Sequence, residues 1–269
     1  MIKFGYCSST SADKNDPLGL KIIPILVKYG FDFIELPLWA LISLNDDEWS
    51  DVVKLVRETS LNVYACNLFM PGNIKLTGAS VSNSLIEDYL TKVISRVSVL
   101  GVEIIVLGSA GARNIEDDTS KETATAQLRD FLIMASEMFE PHGIKIAIES
   151  LNKKESNILN SLTEAAYLTQ LVNRKNVGLL ADLYHMDVEN EPVEVISELY
   201  KNGADFFHCH IADITTNRGF PLKSKNFTGF ATALKAINYT GGLSIEGSSQ
   251  NINEELSKAK TTLDALFKN

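Results

Sequence analysis

Cysteine is scarce and scattered. Cys7, Cys66 and Cys209 are three in 269 residues, an odd number with no CxxC spacing. That argues against a disulfide framework and against a cysteine-ligated zinc site. Long apolar runs are missing too. No stretch reaches the roughly 18 uninterrupted apolar residues of a membrane span, and the opening MIKFGYCSST has one Lys and no apolar signal core. The expectation is a soluble, cytoplasmic protein. Positive charge is in deficit, with 25 Lys and Arg against 34 Asp and Glu, net −9. A nucleic acid or an anionic membrane rewards a basic face, so neither is expected as a partner. With 16 Gly, 7 Pro and 22% charged residues, collagen-like, low-complexity and disordered classes are excluded.

What is present is alternation. Short apolar runs at 2–6, 31–36, 61–66, 102–108, 144–150, 177–182, 205–213 and 242–247 are rich in β-branched or aromatic residues and bounded by Gly, Asn or Asp. Helix-like segments near 17–29, 47–59, 83–100, 119–141, 161–172, 191–202, 228–238 and 251–268 lie between them. Ser161 with Glu164 reads as a capping box, and Gly30, Gly101, Gly143 and Gly203 stand where left-handed C-terminal caps are expected. Eight such units in one chain, without a linker, predict a single α/β domain over 1–269, a (β/α)8 TIM barrel. The first strand is not followed by GxGxxG, which disfavours a dinucleotide-binding sheet.

A barrel places its chemistry at the C-terminal strand ends. The polar residues there read as Tyr6, Glu35, Cys66, Gly108, Glu149, Asp182, His210 and Glu246. Three carboxylates a few Å apart would repel one another and raise one another's pKa values. A divalent cation held by Glu149, Asp182, His210 and Glu246 resolves the conflict. An oxygen-rich set with one imidazole suits Mn²⁺ best, with Mg²⁺, Co²⁺ or Zn²⁺ as further candidates. The alternative is four unrelated polar residues that happen to end strands.

Glu149-Ser-Leu-Asn152-Lys-Lys-Glu155, Asp182-Leu-Tyr-His185, His208-Cys-His210 with Arg218 downstream, and Ser244-Ile-Glu246 together resemble the motifs of the ketose 3-epimerases. These enzymes act on D-tagatose and D-psicose and belong to the xylose-isomerase-like TIM-barrel superfamily. Arg218 follows His210 by eight residues, against six in the family pattern. The resemblance implies metal ligation by Glu149, Asp182, His210 and Glu246, with Glu149 and Glu246 doubling as the acid/base pair. It implies that Glu155, His185 and Arg218 hold substrate oxygens. The substrate would be a small sugar, free or phosphorylated. The reaction would remove a proton beside the carbonyl and return one to an enediolate. An inosose-type dehydratase, or a metal-dependent sugar-binding barrel without turnover, uses a similar site. A homo-oligomer stays open.

Outside these motifs, Gly108-Ser-Ala-Gly111-Ala-Arg113 follows the fourth strand and places an Arg where it could bind a phosphate or carboxylate, or sit on the rim of a tight loop. Arg113 is therefore a further substrate-binding candidate, although the resembled enzymes favour the free sugar. His208 shares a face with His210, one layer deeper. Glu35 could touch substrate or hold a loop.

Overall fold

The computed structural model describes residues 1–116, 118–216, 218–221 and 226–267. Its eight strands are β1 (Lys3–Cys7), β2 (Phe33–Pro37), β3 (Asn62–Asn67), β4 (Ile104–Leu107), β5 (Lys145–Glu149), β6 (Val177–Asp182), β7 (Phe206–Ile211) and β8 (Gly242–Ile245). Each pairs in parallel with the next, and β8 returns to β1, closing the predicted barrel. The helices are α1 (Ile23–Lys28), α2 (Leu38–Ser43), α3 (Asp46–Glu58), α4 (Asn83–Leu100), α5 (Ala110–Arg113), α6 (Lys121–Phe139), α7 (Leu162–Val172), α8 (Leu183–Glu189), α9 (Glu194–Lys201), α10 (Asn226–Ala236) and α11 (Ile252–Phe267). Among the described residues, no helix is long and apolar enough to cross a membrane.

Helix ends follow local chemistry. Gly30, Gly101, Gly143 and Gly203 all adopt positive φ, as expected of C-terminal caps. Ser161 Oγ accepts the Glu164 N–H, but the Glu164 carboxylate accepts from the amide of Asn160, so only half of the expected capping box forms. The first helix is shorter than expected. Gly19 sits at φ 65° with its Cα against the Ser8 carbonyl, where an added Cβ would lie 2.2 Å from the oxygen. A 3₁₀ turn follows, and Pro24 falls in the first turn of α1. The helices α2, α5 and α8 are short insertions after strand ends, too brief for a periodic apolar face to announce them.

The core is split by the barrel wall. The larger part lies between strands and helices. Inside the barrel, Phe33, Tyr64, Ala65, Ile104, Val106, Ala147 and Leu180 form a second cluster with Phe207 against it. Large rings fit there because glycines face them. A Cβ on Gly5 would stand 2.1 Å from the Phe33 ring, one on Gly242 2.6 Å from Tyr64, and one on Gly178 2.7 Å from Phe207. These rings fill the barrel floor beneath the strand ends.

One register shift and the parity of β1 decide what faces inward at two strand ends. β3 carries one residue more than β2, so that Ile34 pairs with Val63 but Glu35 with Ala65. A β-bulge of this kind turns two successive residues, Tyr64 and Ala65, to the interior. Beyond it the alternation is reversed, and Asn67 points into the mouth while Cys66 joins the outer core. In β1, Gly5 faces inward, so Cys7 does too and Tyr6 turns out. The strand-end residues expected for these two strands, Tyr6 and Cys66, are thus replaced by Cys7 and Asn67.

Gly5→Ala drives a methyl into a fixed aromatic ring inside the barrel. Loss of about 1–3 kcal/mol of unfolding free energy is expected, measured by urea denaturation, with the transition still cooperative.

Candidate active site

Glu149 ends β5, Asp182 ends β6, His210 is the penultimate residue of β7, and Glu246 follows β8. Each offers a ligand atom, and all four atoms lie within 4.8 Å of one another, all on buried residues. His210 Nδ1 is the hub: it stands 3.2 Å from Glu149 Oε1, 3.6 Å from Glu246 Oε2 and 3.8 Å from Asp182 Oδ2. Asp182 is shaped by its place as the N-cap of α8. Its Oδ1 accepts the amides of Tyr184 (2.7 Å) and His185 (3.4 Å), which leaves Oδ2 for the mouth. Asp182 Oδ2 is buried without a hydrogen-bond donor, and Glu246 Oε2 accepts no hydrogen bond although an Arg218 nitrogen stands 3.2 Å from it. Orphaned carboxylate oxygens converging beside an imidazole nitrogen are a donor set that fits a divalent cation.

Glu149 lies against β4. A Cβ on Gly108 would be 2.0 Å from its Oε2, so the absent side chain is the space the carboxylate occupies. Glu246 is held on its other side by Asn67, whose Nδ2 donates to Oε1 at 3.2 Å.

The structure brings the expected substrate residues to the same mouth. The Asp182–His185 spacing is three residues, one turn of α8, and it returns the His185 ring to within 3.7 Å of Asp182 Oδ2. Asn152 organises this corner: its backbone N–H points at His185 Nδ1 (3.1 Å), and its Nδ2 donates to Glu155 Oε1 (2.9 Å). The other ring nitrogen of His185, Nε2, faces the mouth. Arg218 places Nη2 3.2 Å from Glu246 Oε2 and 2.8 Å from His185 Nε2, and Nη1 3.8 Å from Glu155 Oε2. Its guanidinium lies 4.7 Å over the Tyr184 ring. Arg218 achieves this from φ 64°, a conformation that costs a non-glycine residue about 1–3 kcal/mol. Mutual amide bonds between Asp213 and Gly219, and one from Ser248 to the Arg218 carbonyl, hold the loop there. Its neighbour Asn217 and residues 222–225 lie outside the described residues.

Arg113 is elsewhere. It is fully buried at the end of α5, and its Nη1 donates to the carbonyls of Leu107 and Glu149 at 2.8 Å each. It clamps the ends of β4 and β5 from behind the mouth. The side chain is fully buried, with Nη1 spent on two backbone carbonyls and Nε and Nη2 without a partner, so the structure holds Arg113 away from the mouth where a substrate contact was expected. Burial lowers its pKa to about 10, with Glu149 opposing that fall. Sequence reasoning assigned no role to Asn67 and Asn152. Asn152 stands within the ExxNxxE run, whereas Asn67 is hidden by the bulge.

Burial dominates the electrostatics. It pushes the Asp182 carboxyl up to about 6, with His185 opposing and Glu149 and Glu246 reinforcing. Burial would raise Glu246 as well, but His210 and Arg218 outweigh it and hold the carboxyl at about 2. At His210 burial works against charge, yet Cys7, Glu35 and Glu246 lift it well above the ordinary imidazole range.

A family model described as "Xylose isomerase-like TIM barrel" matches residues 23–268. The chain belongs to this family. Within the xylose isomerase-like barrels it is 26% identical over 261 residues to an L-ribulose 3-epimerase of Methylomonas sp. (strain DH-1), covering 92% of this chain and 85% of that one. A solved D-psicose 3-epimerase, crystallised in the presence of D-fructose, superposes with a TM-score of 0.84 at 19% identity, over 100% of both chains. The IOLI protein with a bound zinc atom superposes with a TM-score of 0.71 at 20% identity, over 98% of each chain. With epimerases as its relatives, the protein is an isomerase.

Two outcomes are expected at this site. A cation must displace the proton on His210 Nδ1 and, below about pH 6, the proton on Asp182, because both pKa values are raised. Mn²⁺ affinity measured by calorimetry should therefore climb with pH, about tenfold per unit near neutrality and more steeply below pH ~6. An affinity unchanged between pH 5 and 8 would remove both residues from the ligand set. Gly108→Ala should displace the flexible Glu149 carboxylate rather than the fold. Turnover should fall at least about tenfold, some 1.4 kcal/mol of barrier, while the melting temperature stays within a few degrees.

Proposed function

We propose that this isomerase epimerises a free ketose at the carbon beside its carbonyl, using a divalent cation held by Glu149, Asp182, His210 and Glu246. The observation that carries the reading is the approach of Glu149 and Glu246, from strands β5 and β8, to a single imidazole nitrogen. Two carboxylates reaching one point from different sides of the mouth suit proton removal on one face of a substrate and delivery on the other. The L-ribulose and D-psicose 3-epimerases among its relatives support a ketose as substrate. Arg113, withdrawn from the mouth, favours the unphosphorylated sugar.

Bound at this site, a divalent cation polarises the ketose carbonyl and acidifies the neighbouring C–H. The side chains account for the rest. Arg218 donates to the substrate oxygens that gain charge, with the His185 ring beside it. Glu155, tied to Asn152, accepts from a hydroxyl. One of Glu149 and Glu246 takes the proton, leaving an enediolate, and the other returns a proton with inverted configuration. Mn²⁺ suits the oxygen-rich set. The zinc of the IOLI protein makes Zn²⁺ the competing choice.

The test is solvent deuterium incorporation. Protein reconstituted with Mn²⁺ and incubated with free ketoses in D2O should wash deuterium into the carbon beside the carbonyl and yield the epimer, both read by NMR. Glu149→Gln and Glu246→Gln should each lower the rate by roughly 10²–10⁴-fold with the circular dichroism of the barrel unchanged. More than about a tenth of wild-type turnover in either variant would take that residue out of the proton path. Loss of water with a new carbonyl absorbance would instead mark a dehydratase.

A further inference from the structure

Beneath the four-residue set lies a carboxylate that no step above uses. Glu35 is fully buried in β2, three strands around the closed barrel from β7, and its side chain crosses the interior. Its Oε1 stands 3.1 Å from His210 Nε2. Its Oε2 stands 2.7 Å from His208 Nε2 and accepts the Ser244 hydroxyl at 2.6 Å. Burying a carboxylate carries a desolvation cost that an apolar residue of the same volume avoids. Simple packing therefore does not account for it.

What Glu35 controls is the ring of His210. A neutral imidazole has one N–H and one lone pair, and His210 has carboxylates at both nitrogens. If the proton sat on Nδ1, pointing at Glu149 Oε1, the lone pair would turn away from Glu149, Asp182 and Glu246. With Glu35 accepting at Nε2, the proton is held there and Nδ1 is free. Cys7 Sγ, the other neighbour of Nε2 at 3.7 Å, is too weak an acceptor to do this. Glu35 is itself braced. His208, wedged against Phe33 and Tyr64, and Ser244 hold its second oxygen. The Nδ1 of His208 is buried without a partner, which suits a lone pair better than an N–H and so assigns the proton of His208 to Nε2, facing Glu35.

We propose that Glu35 is a positioning residue of the active site: it acts through His210, fixing the Nε2–H tautomer and the ring orientation that aim Nδ1 at the cation, with His208 and Ser244 as its anchors. The inference rests on the reading of His210 as a cation ligand.

Calorimetric titration of chelator-treated protein with Mn²⁺ and with Zn²⁺ tests it. Glu35→Gln keeps size and shape, but its amide can accept from only one of the two histidines and must present N–H groups to the other. Affinity for either ion should weaken by roughly 10–100-fold, with the melting temperature of the metal-free protein little changed. Ser244→Ala removes one anchor without touching His210 and should weaken binding in the same direction by a smaller factor. It decides the question alone if Glu35→Gln does not fold. A second readout is the histidine tautomer. In ¹⁵N-histidine-labelled, Zn²⁺-loaded wild type, NMR should show His210 protonated on Nε2, and in Glu35→Gln that resonance should shift or vanish. Equal affinities and an unchanged tautomer in the variants, against a wild type that binds, would overturn the role of Glu35. A wild type that binds neither ion would overturn the cation reading itself.

Discussion

Negative charge buried around one imidazole is the constraint on which this structure turns. Glu35, Glu149, Asp182 and Glu246 all sit within the barrel mouth, and all but Asp182 approach His210 within 3.6 Å. In a medium of low dielectric such a group must be neutralised. Arg113 supplies one positive charge from behind, through the backbone end of β5, and Arg218 another from above, through Glu246. The carboxylates outnumber the guanidiniums, and a divalent cation of the kind proposed for the site would offset the excess. Asp182 expresses the imbalance most directly, since it has the raised pKa and an oxygen without a donor.

The barrel is built to tolerate this. Its floor is filled by aromatic rings lying over glycines, and two of these rings, Phe33 and Tyr64, pack against His208. Above the floor the interior becomes polar within one inward step on β6, from Leu180 to Asp182, and on β5, from Ala147 to Glu149, while β7 is polar in both layers with His208 and His210. The mouth residues are then fixed by local devices. Asp182 is oriented by the helix it caps, Glu149 by the space over Gly108, and His185 by the Asn152 amide. Groups on strand ends, rather than on long loops, are held within the narrow tolerances that the proposed proton transfer requires.

The signals that were legible in the chain are those written in local periodicity and spacing. Short β-branched runs marked all eight strands, and glycines marked the helix ends. The spacing from Asp182 to His185 is one helical turn. The runs from β5 to β8 placed Glu149, Asp182, His210 and Glu246 on strand ends, because an inward residue every second position is a property of the strand itself. The same rule failed in β3. The extra residue at Tyr64 is imposed by pairing with β2, and it exchanged Cys66 for Asn67. In β1 the parity is set by Gly5, which yields to the ring of Phe33 from the next strand.

The sequence by itself therefore determined the alternating barrel, the strands that bear the site and the motif residues on them, since each depends on neighbours within a few positions. Tertiary structure alone decided which face of a strand end looks inward and where a long side chain finally rests. Arg113 reads as a rim residue, but the turn of α5 sends its guanidinium to carbonyls 6 and 36 residues away. Glu35 reads as one more polar strand end, yet its partners are 173, 175 and 209 residues further along the chain. Such contacts exist only once the sheet has closed on itself. The eight-unit pattern foretells that closure, but no local spacing tells which distant side chains it brings together.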